Sequence, residues 1–517
     1  MSSSMFKVDL ITHVFVNVCA ALLNPVLEAN ILLFVALILS FYFSFVLLNE
    51  LKLSKILCLS ISVLFTFSEY FVYRVVSYTT NLYSVFTFPF VAYLLVKKTK
   101  SYYMGLFVSF LTYVSSYYGF FSLIIVICWY LFTFFTDKKV RIKNVLKDMT
   151  FVLFVLLACL LPFYNSHLAS NLPVFGKYNN VVSPFNREIV YRPIQDFYNL
   201  SFRPWYFFIP PKSSLFFGDL SKRLYKKIES TNYYLADDYM EEEMGGSYMG
   251  WHFLLGMGFV AVLLLLKKFK KKEYPIFKTV YENQEMIVRS FFIIFCILLI
   301  SGPPSFTIRG ITFYTPSYLL YYIVPVFRTL VRWAVVIYLF VLIINSYLVQ
   351  DLYDLMKNTW QKVLFIVVFL SLNFVIFAIK IPVINVSKPP LEISYLKEKY
   401  PGSVPYAVYP KGDYYSIFWI ISHEDLLINP VNFVNYETGF NSNEFSKNLI
   451  TEEGIEEFLS FNPRYLIYYE EKISGSDLER IAKINSKIVV KEDITRFLEK
   501  ELDKGVKVGE SIIFEIK

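Results

Sequence analysis

Ten stretches of this chain are apolar enough to cross a bilayer, and a more polar tail follows the last of them. A membrane-spanning helix needs about 20 mostly apolar residues, and fewer where the bilayer thins. The pattern therefore predicts an all-α polytopic membrane bundle of about ten transmembrane helices. The predicted spans are Ala29–Leu48, Ser54–Phe67, Leu82–Val96, Tyr102–Ser116, Gly119–Phe135, Leu146–Phe163, Tyr248–Leu266, Ile287–Ile300, Val331–Val349 and Lys362–Ile379.

The tail has the mixed pattern of a soluble α/β domain. Short apolar runs at Pro405–Pro410, Arg464–Tyr469 and Lys487–Val490 are strand-like, and Thr451 can cap a helix that runs to about Phe461. We therefore predict two domains. Residues 1–380 form a multi-span membrane domain with a large outer loop at 164–247, and residues 381–517 form an extracytoplasmic α/β domain.

Positive charge is concentrated in three segments between predicted spans, Lys97–Lys100, Asp137–Lys147 and Lys267–Lys278. Lysine and arginine are retained on the cytoplasmic side of membrane proteins. One topology satisfies all three segments, and it places the N-terminus, the long loop and the C-terminal domain outside the cytoplasm. The net charge of +8 is thus explained by topology, and we expect no nucleic-acid partner.

The composition is that of a cell-membrane protein surrounded by lipid. Hydrophobic residues make up 56% of the chain and charged residues only 18%, which no ordinary soluble domain matches. The 53 Phe and 41 Tyr residues suit the lipid–water interface. Carboxylates are missing from the middle of the predicted spans, which disfavours an ion-coupled transporter.

Candidate chemistry gathers where the predicted spans meet the outside. Glu69 and Arg74 follow the second span, and Arg328 and Arg332 precede the ninth. Arginine has a planar, permanently charged fork that suits a phosphate at a partly dry interface, so Arg74, Arg328 and Arg332 are candidate donor-phosphate ligands. A second interpretation is that Arg328 and Arg332 bind lipid headgroups, and that Glu69 and Arg74 pair with each other.

A run of three carboxylates lies just before the seventh span. Glu241, Glu242 and Glu243 could coordinate a divalent cation such as Mg²⁺ or Mn²⁺, since carboxylate oxygens are the ligands these ions prefer. A carboxylate near the arginines could instead act as a general base, and the candidates for that role are Glu69 and a member of Asp237–Glu243. The alternative for the acidic run is a solvated loop.

Several short motifs occur in the order found in a known group of membrane enzymes. These motifs are Phe67–Tyr70, Tyr73-Arg74, Asn81-Leu82, Phe88-Pro89, Ser116–Phe121, Trp205–Pro211, Gly246–Gly250, Phe327–Trp333 and Phe461–Ile467. In these segments the chain resembles the large GT-C-type membrane glycosyltransferases, in particular their YfhO-like and related uncharacterised branches.

The resemblance implies a GT-C fold and transfer of a sugar from a polyprenyl-phosphate donor on the outer membrane face. It also implies a carboxylate in the first outer loop that serves as catalytic base or cation ligand, and Asp9 is the only acidic residue before Glu28. The resemblance also predicts that the chain begins after the family's first span and most of its first outer loop. We therefore expect a partner subunit that supplies this span.

Two hypotheses follow. The first is a membrane glycosyltransferase that uses a lipid-linked donor, with Asp9 and Glu69 as candidate catalytic residues. The second is a non-catalytic envelope protein that binds a lipid-linked glycan or a partner subunit through its outer domain. The sequence leaves open whether the protein is an enzyme.

Overall fold

The computed structural model describes most of the chain in two compact units, whose boundary falls between residues 381 and 382. The described residues are 25–76, 79, 82–136, 142–164, 194–229, 241–308, 310–323, 327, 329–380, 390–399, 404–410, 426–429, 434–435, 440–473 and 475–516.

The first unit is a helical bundle in which each of the ten predicted spans coincides with a helix. Its helices are α1 Pro25–Glu50, α2 Lys55–Thr66, α3 Glu69–Val76, α4 Thr87–Val96, α5 Ser101–Val114, α6 Ser116–Thr136, α7 Ile142–Tyr164, α8 Ile194–Asn199, α9 Trp205–Phe208, α10 Gly218–Glu229, α11 Glu241–Met244, α12 Trp251–Lys270, α13 Lys278–Glu282, α14 Gln284–Ser301, α15 Pro316–Ile323, α16 Ala334–Asp354 and α17 Thr359–Phe377.

Within the described part of the chain, seven helical stretches are long and apolar enough to cross a membrane. One of them, Lys55–Val76, joins α2 and α3, while α4 and α5 are shorter apolar helices. Helix α16 lies at the centre of the bundle, because every residue from Ala334 to Asp351 is buried. A helix that is apolar on all sides requires this position. The predicted polytopic helical bundle is confirmed.

A short antiparallel hairpin interrupts the helices between α14 and α15. Its strands are β1 (Ser305–Ile308) and β2 (Ile311–Tyr314), and all four residues of β2 are exposed. Helix α15 follows directly, and its Tyr322 side chain is exposed, as are Phe313 and Tyr314 of β2. Exposed aromatic side chains of this kind suit a membrane surface, where an apolar ring and a polar tip are both solvated.

The second unit is an α/β domain built on a five-stranded sheet, whose strands lie in the order β4 (Leu426–Leu427), β3 (Pro405–Tyr409), β7 (Tyr465–Tyr468), β9 (Ser511–Glu515) and β8 (Val506–Val508). Strand β3 pairs in parallel with β4 and β7, and β9 pairs antiparallel with β7 and β8. The elements are α18 Leu391–Lys399, β3 Pro405–Tyr409, β4 Leu426–Leu427, β5 Val434–Asn435, β6 Phe440–Asn441, α19 Ser442–Asn448, α20 Glu452–Ser460, β7 Tyr465–Tyr468, α21 Gly475–Ile484, α22 Lys491–Leu502, β8 Val506–Val508 and β9 Ser511–Glu515.

Helices cover both faces of this sheet. Tyr406 and Val408 of β3 pack with Ile393 and Leu396 of α18 on one face. Ala407 of β3 belongs to a second buried cluster, which includes residues of α19 to α22 on the other face. Successive side chains of a strand point to opposite faces, so the central strands must be apolar at every position. The predicted C-terminal α/β domain is confirmed.

One predicted strand of this domain is wrong. Residues 487–490 form no strand, and the side chains of Val489 and Val490 are exposed. The backbone N–H groups of both valines donate to the Asp493 carboxylate at 3.0 Å, which closes the first turn of α22. The donors that a sheet would have used are therefore committed to a helix cap.

Candidate functional site

Helix α3 carries two of the predicted site residues into the interior of the first unit. Its register places Tyr70 and Arg74 one turn apart, and the guanidinium carbon of Arg74 lies 5.2 Å from the centre of the Tyr70 ring. The Arg74 side chain is 0% exposed. A permanently charged group in such a position requires an anionic partner, because burying an unpaired charge is costly.

The partner comes from the segment that precedes α12. Glu243 lies in the short helix α11, and the 3₁₀ turn Gly245–Ser247 then packs directly on α3. A Cβ atom on Gly246 would lie 2.4 Å from the Cα atom of Tyr70, so only glycine allows this approach. The close backbone contact brings the Glu243 side chain beside Arg74.

A second arginine approaches from the start of the central helix. Arg332 lies in the 3₁₀ turn Leu330–Trp333 that leads into α16. The next residue, Trp333, is fully buried and stacks on Phe121 of α6 with ring centres 3.7 Å apart. This stacking anchors the turn, and the guanidinium carbon of Arg332 lies 4.8 Å from the centre of the Tyr117 ring.

Both arginines bind the same carboxylate. Arg74 Nη1 donates to Glu243 Oε2 at 2.8 Å. Arg332 donates through Nη2 to Oε1 at 2.6 Å and through Nε to Oε2 at 3.1 Å. The Arg332 contact is the bidentate fork that guanidinium groups make with carboxylates and phosphates. We call Arg74, Glu243 and Arg332 the arginine cluster.

The electrostatics of the cluster favour its charged form. Burial by itself raises the pKa of the Glu243 carboxyl, but the two neighbouring guanidinium groups outweigh burial and lower this pKa to about 2. Glu243 is therefore ionised at neutral pH. Two cations share one carboxylate, so the three side chains together carry a net positive charge.

Aromatic side chains of α3 and α6 surround the cluster. The hydroxyl groups of Tyr70 and Tyr118 are 3.1 Å apart, and Tyr118 donates to the Leu82 carbonyl oxygen at 2.8 Å. On the Arg332 side, the Phe327 ring stacks on Phe120 with centres 4.4 Å apart. These rings shield much of the cluster from water and thereby strengthen its charge interactions.

Glu69 is also buried, but it faces a different environment. It lies five residues before Arg74, which on an α-helix separates two side chains by about 140°. Its carboxylate interacts electrostatically with the hydroxyl groups of Tyr248 and Tyr338. The two sequence candidates on α3 thus point to separate surroundings, and Arg74 takes an ion-pair partner from the acidic run instead.

Only some of the predicted site residues can be compared with the structure. It brings Arg74 and Arg332 together, and it places Glu69 on the same helix as Arg74. Asp9 and Arg328 lie outside the described residues, as do the side chains of Glu241 and Glu242. No group of three or more His, Cys, Asp or Glu side chains that could hold a metal occurs among the residues that the structure describes.

Sequence reasoning missed the partner role of Glu243 and the aromatic wall of Tyr70, Tyr117 and Tyr118. One local signal pointed to this contact. The pair Gly245-Gly246 directly before a span is unusual for a helix start, and it marks a close backbone approach.

Comparison with known proteins finds structural similarity that is distant. No model of a known protein family matches the chain, and no curated protein matches it either. Among solved structures, the chain is similar to the Archaeoglobus fulgidus oligosaccharyltransferase, which was crystallised in complex with Zn and sulfate. The match covers 90% of this chain at 10% identity with a TM-score of 0.38, and the chain spans 59% of the length of that protein.

Proposed function

We propose that this protein is a membrane glycosyltransferase that takes a sugar from a polyprenyl-phosphate donor. The observation that supports the proposal is the arginine cluster. Two buried arginines from distant parts of the chain converge on one anion-binding position between aromatic walls. Arginine pairs in such dry surroundings suit a phosphate that is attached to a lipid.

The motifs behind the family resemblance support the same assignment. Phe67–Tyr70 and Arg74, Gly246–Gly250 and Phe327–Trp333 are far apart in sequence, yet residues from each of them lie in or against the arginine cluster. Packing alone does not require scattered motifs of this kind to meet at one place. A shared binding site explains why they occur in one chain.

In the proposed reaction, Arg74 and Arg332 hold the donor phosphate. A bond forms between the acceptor oxygen and the anomeric carbon of the sugar, while the bond from that carbon to the phosphate oxygen breaks. The phosphate leaves with additional negative charge, which the guanidinium groups stabilise. The acceptor proton passes to a carboxylate, for which Glu69 and Asp9 are the candidates.

A divalent cation at Glu241–Glu243 stays a prediction. Both oxygens of Glu243 already accept hydrogen bonds from guanidinium groups, so this carboxylate does not fit a cation ligand while the cluster is formed. In the proposed reaction, Arg74 and Arg332 therefore bind the phosphate directly. The outer-face location of the site follows from the lysine-rich segments and is part of the proposal.

Transfer from a radiolabelled polyprenyl-phosphate sugar, measured in membranes from expressing cells, tests the proposal. Replacing both Arg74 and Arg332 by glutamine should reduce transfer by about 100-fold or more, which is the usual effect of removing charge-stabilising donors. Arg223→Gln is the matched control, because Arg223 is exposed on α10. Undiminished transfer in the double variant would refute the phosphate site. If the natural protein binds the donor but transfers no sugar, the non-catalytic hypothesis is favoured.

A further inference from the structure

We propose that the Glu243 carboxylate occupies the place of the phosphate in the arginine cluster, and that phosphate displaces it during the reaction. This inference rests on the proposed function, because it concerns the same two arginines. It assigns Glu243 a positioning role as an internal competing anion.

The hydrogen-bond geometry is the first argument. Glu243 receives three donors, Nη1 of Arg74 and both Nε and Nη2 of Arg332, at 2.6 to 3.1 Å. A phosphate group offers the same kind of acceptor, with two or more charged oxygens that match the guanidinium fork. The carboxylate therefore satisfies the arginines in the way that a substrate phosphate would.

Burial is the second argument, since it indicates which member of the cluster can leave. The Glu243 side chain is 21% exposed, compared with 12% for Arg332 and 0% for Arg74. Glu243 is thus the member nearest to water. A rotation about its side-chain bonds can move the carboxylate outwards, whereas the arginines are held by the Tyr70 and Tyr117 rings.

Charge balance is the third argument. A sugar linked to a lipid phosphate is a phosphodiester with one negative charge, so it replaces Glu243 one for one. After sugar transfer the lipid phosphate is a monoester, whose charge approaches −2 at neutral pH. The arginines should bind this product more strongly than the donor. The return of Glu243 offers a competing anion that helps to release it.

The test compares phosphate binding to the purified full-length protein with and without the competing carboxylate. Inorganic phosphate and a short-chain prenyl phosphate are titrated against the natural protein and Glu243→Gln at constant ionic strength. We expect Glu243→Gln to bind both phosphates about tenfold more tightly than the natural protein does. This factor applies if Glu243 is rotated away from the arginines in about one tenth of the natural protein molecules. If prenyl phosphate binds more tightly than inorganic phosphate, the ligand is lipid-linked. If the two bind equally, the phosphate alone is the recognised group.

A stability measurement keeps the test decisive if Glu243→Gln folds poorly. Removal of Glu243 leaves two buried cations, so the thermal midpoint should fall and added phosphate should restore it. Glu285→Gln is the matched control, because Glu285 pairs with the largely buried Arg289 at 2.7 Å on α14, away from the cluster. Phosphate should not restore that variant.

The outcomes separate this inference from the proposed function. If the natural protein binds prenyl phosphate and Glu243→Gln binds it equally or more weakly without phosphate rescue, the displacement is refuted and the phosphate site stands. If neither protein binds either phosphate, both proposals are refuted. Tighter binding together with rescue that Glu285→Gln lacks would support the displacement.

Discussion

The burial of Arg74 and Arg332 makes both side chains depend on a bound anion. Beside aromatic rings, a guanidinium group loses most of its hydration and depends on the anion that it contacts. Glu243 supplies that anion, and the bidentate contact orients Arg332. The stability of the bundle and its capacity to bind phosphate are therefore linked through one carboxylate.

This dependence predicts an acid-sensitive contribution to stability. The pKa of Glu243 is lowered from its ordinary value of 4.5 to about 2, so its contribution is fully present above about pH 4.5 and is lost as the pH falls towards about 2. As the pH falls through this range, the thermal midpoint of the purified natural protein should therefore decrease more steeply than that of Glu243→Gln. Asp219→Asn controls for the removal of an exposed carboxylate. Parallel profiles for the natural protein and Glu243→Gln would contradict the assignment.

At the scale of elements, the site depends on the contact between α3 and the Gly245–Ser247 turn. Gly245 faces the Tyr73 ring and Gly246 faces the backbone of Tyr70. These contacts hold α11 against α3, and α11 carries Glu243. Two glycines therefore set the distance between the acidic run and Arg74.

Gly246→Ala should destabilise the protein by about 1–3 kcal/mol, because the new methyl group has no room beside the Tyr70 backbone. It should also weaken phosphate binding, since Glu243 and Arg74 shift relative to each other. Gly258→Ala is the matched control, because a Cβ built at that position of α12 has no atom of another described part of the chain within 4 Å. Thermal unfolding in detergent checks both variants. If Gly246→Ala has the same thermal midpoint as the natural protein, the Gly245–Ser247 turn does not pack on α3 this closely.

At the scale of the whole molecule, the chain consists of two units with separate cores. The C-terminal unit buries apolar side chains on both faces of its sheet, in one cluster around Leu466 and another around Ile467. A domain with two covered faces has the apolar core that independent folding requires. The membrane bundle has a continuous core of its own around α16.

Residues 382–517 expressed alone should accordingly unfold in a single cooperative transition in urea. Phe514→Ala in this fragment should lower its stability by about 3–5 kcal/mol, because the Phe514 ring is fully buried. Circular dichroism checks both expectations. A fragment without a cooperative transition would show that the domain needs the membrane unit to fold.

The proposed reaction also requires one orientation in the membrane. Lys487 is exposed in the C-terminal unit, and Lys270 is exposed at the end of α12, within the lysine-rich segment Lys267–Lys278. In a cysteine-free background, Lys487→Cys should react in intact cells with a maleimide that cannot cross membranes, and Lys270→Cys should be protected. The reverse pattern would place the C-terminal domain in the cytoplasm and remove the outer-face proposal.

The sequence alone determined the parts of the fold that depend on neighbouring residues. Apolar runs predicted each membrane helix, because hydropathy acts on consecutive side chains. Thr451 was expected to cap a helix, and its hydroxyl accepts from the Gly454 N–H at 3.0 Å. The predicted strand at Lys487–Val490 was wrong, since an Asp493 cap competed with strand propensity for the same backbone donors.

The tertiary structure determines which side chains meet in the arginine cluster. Arg74 and Arg332 were recognised by residue type and position near span ends, but Glu243 lies 169 and 89 positions away from them along the chain. Hydrophobic periodicity carries no information about which polar groups meet across such distances. Their meeting depends on the packing of α3, the Gly245–Ser247 turn and the start of α16, where two buried cations require one anion.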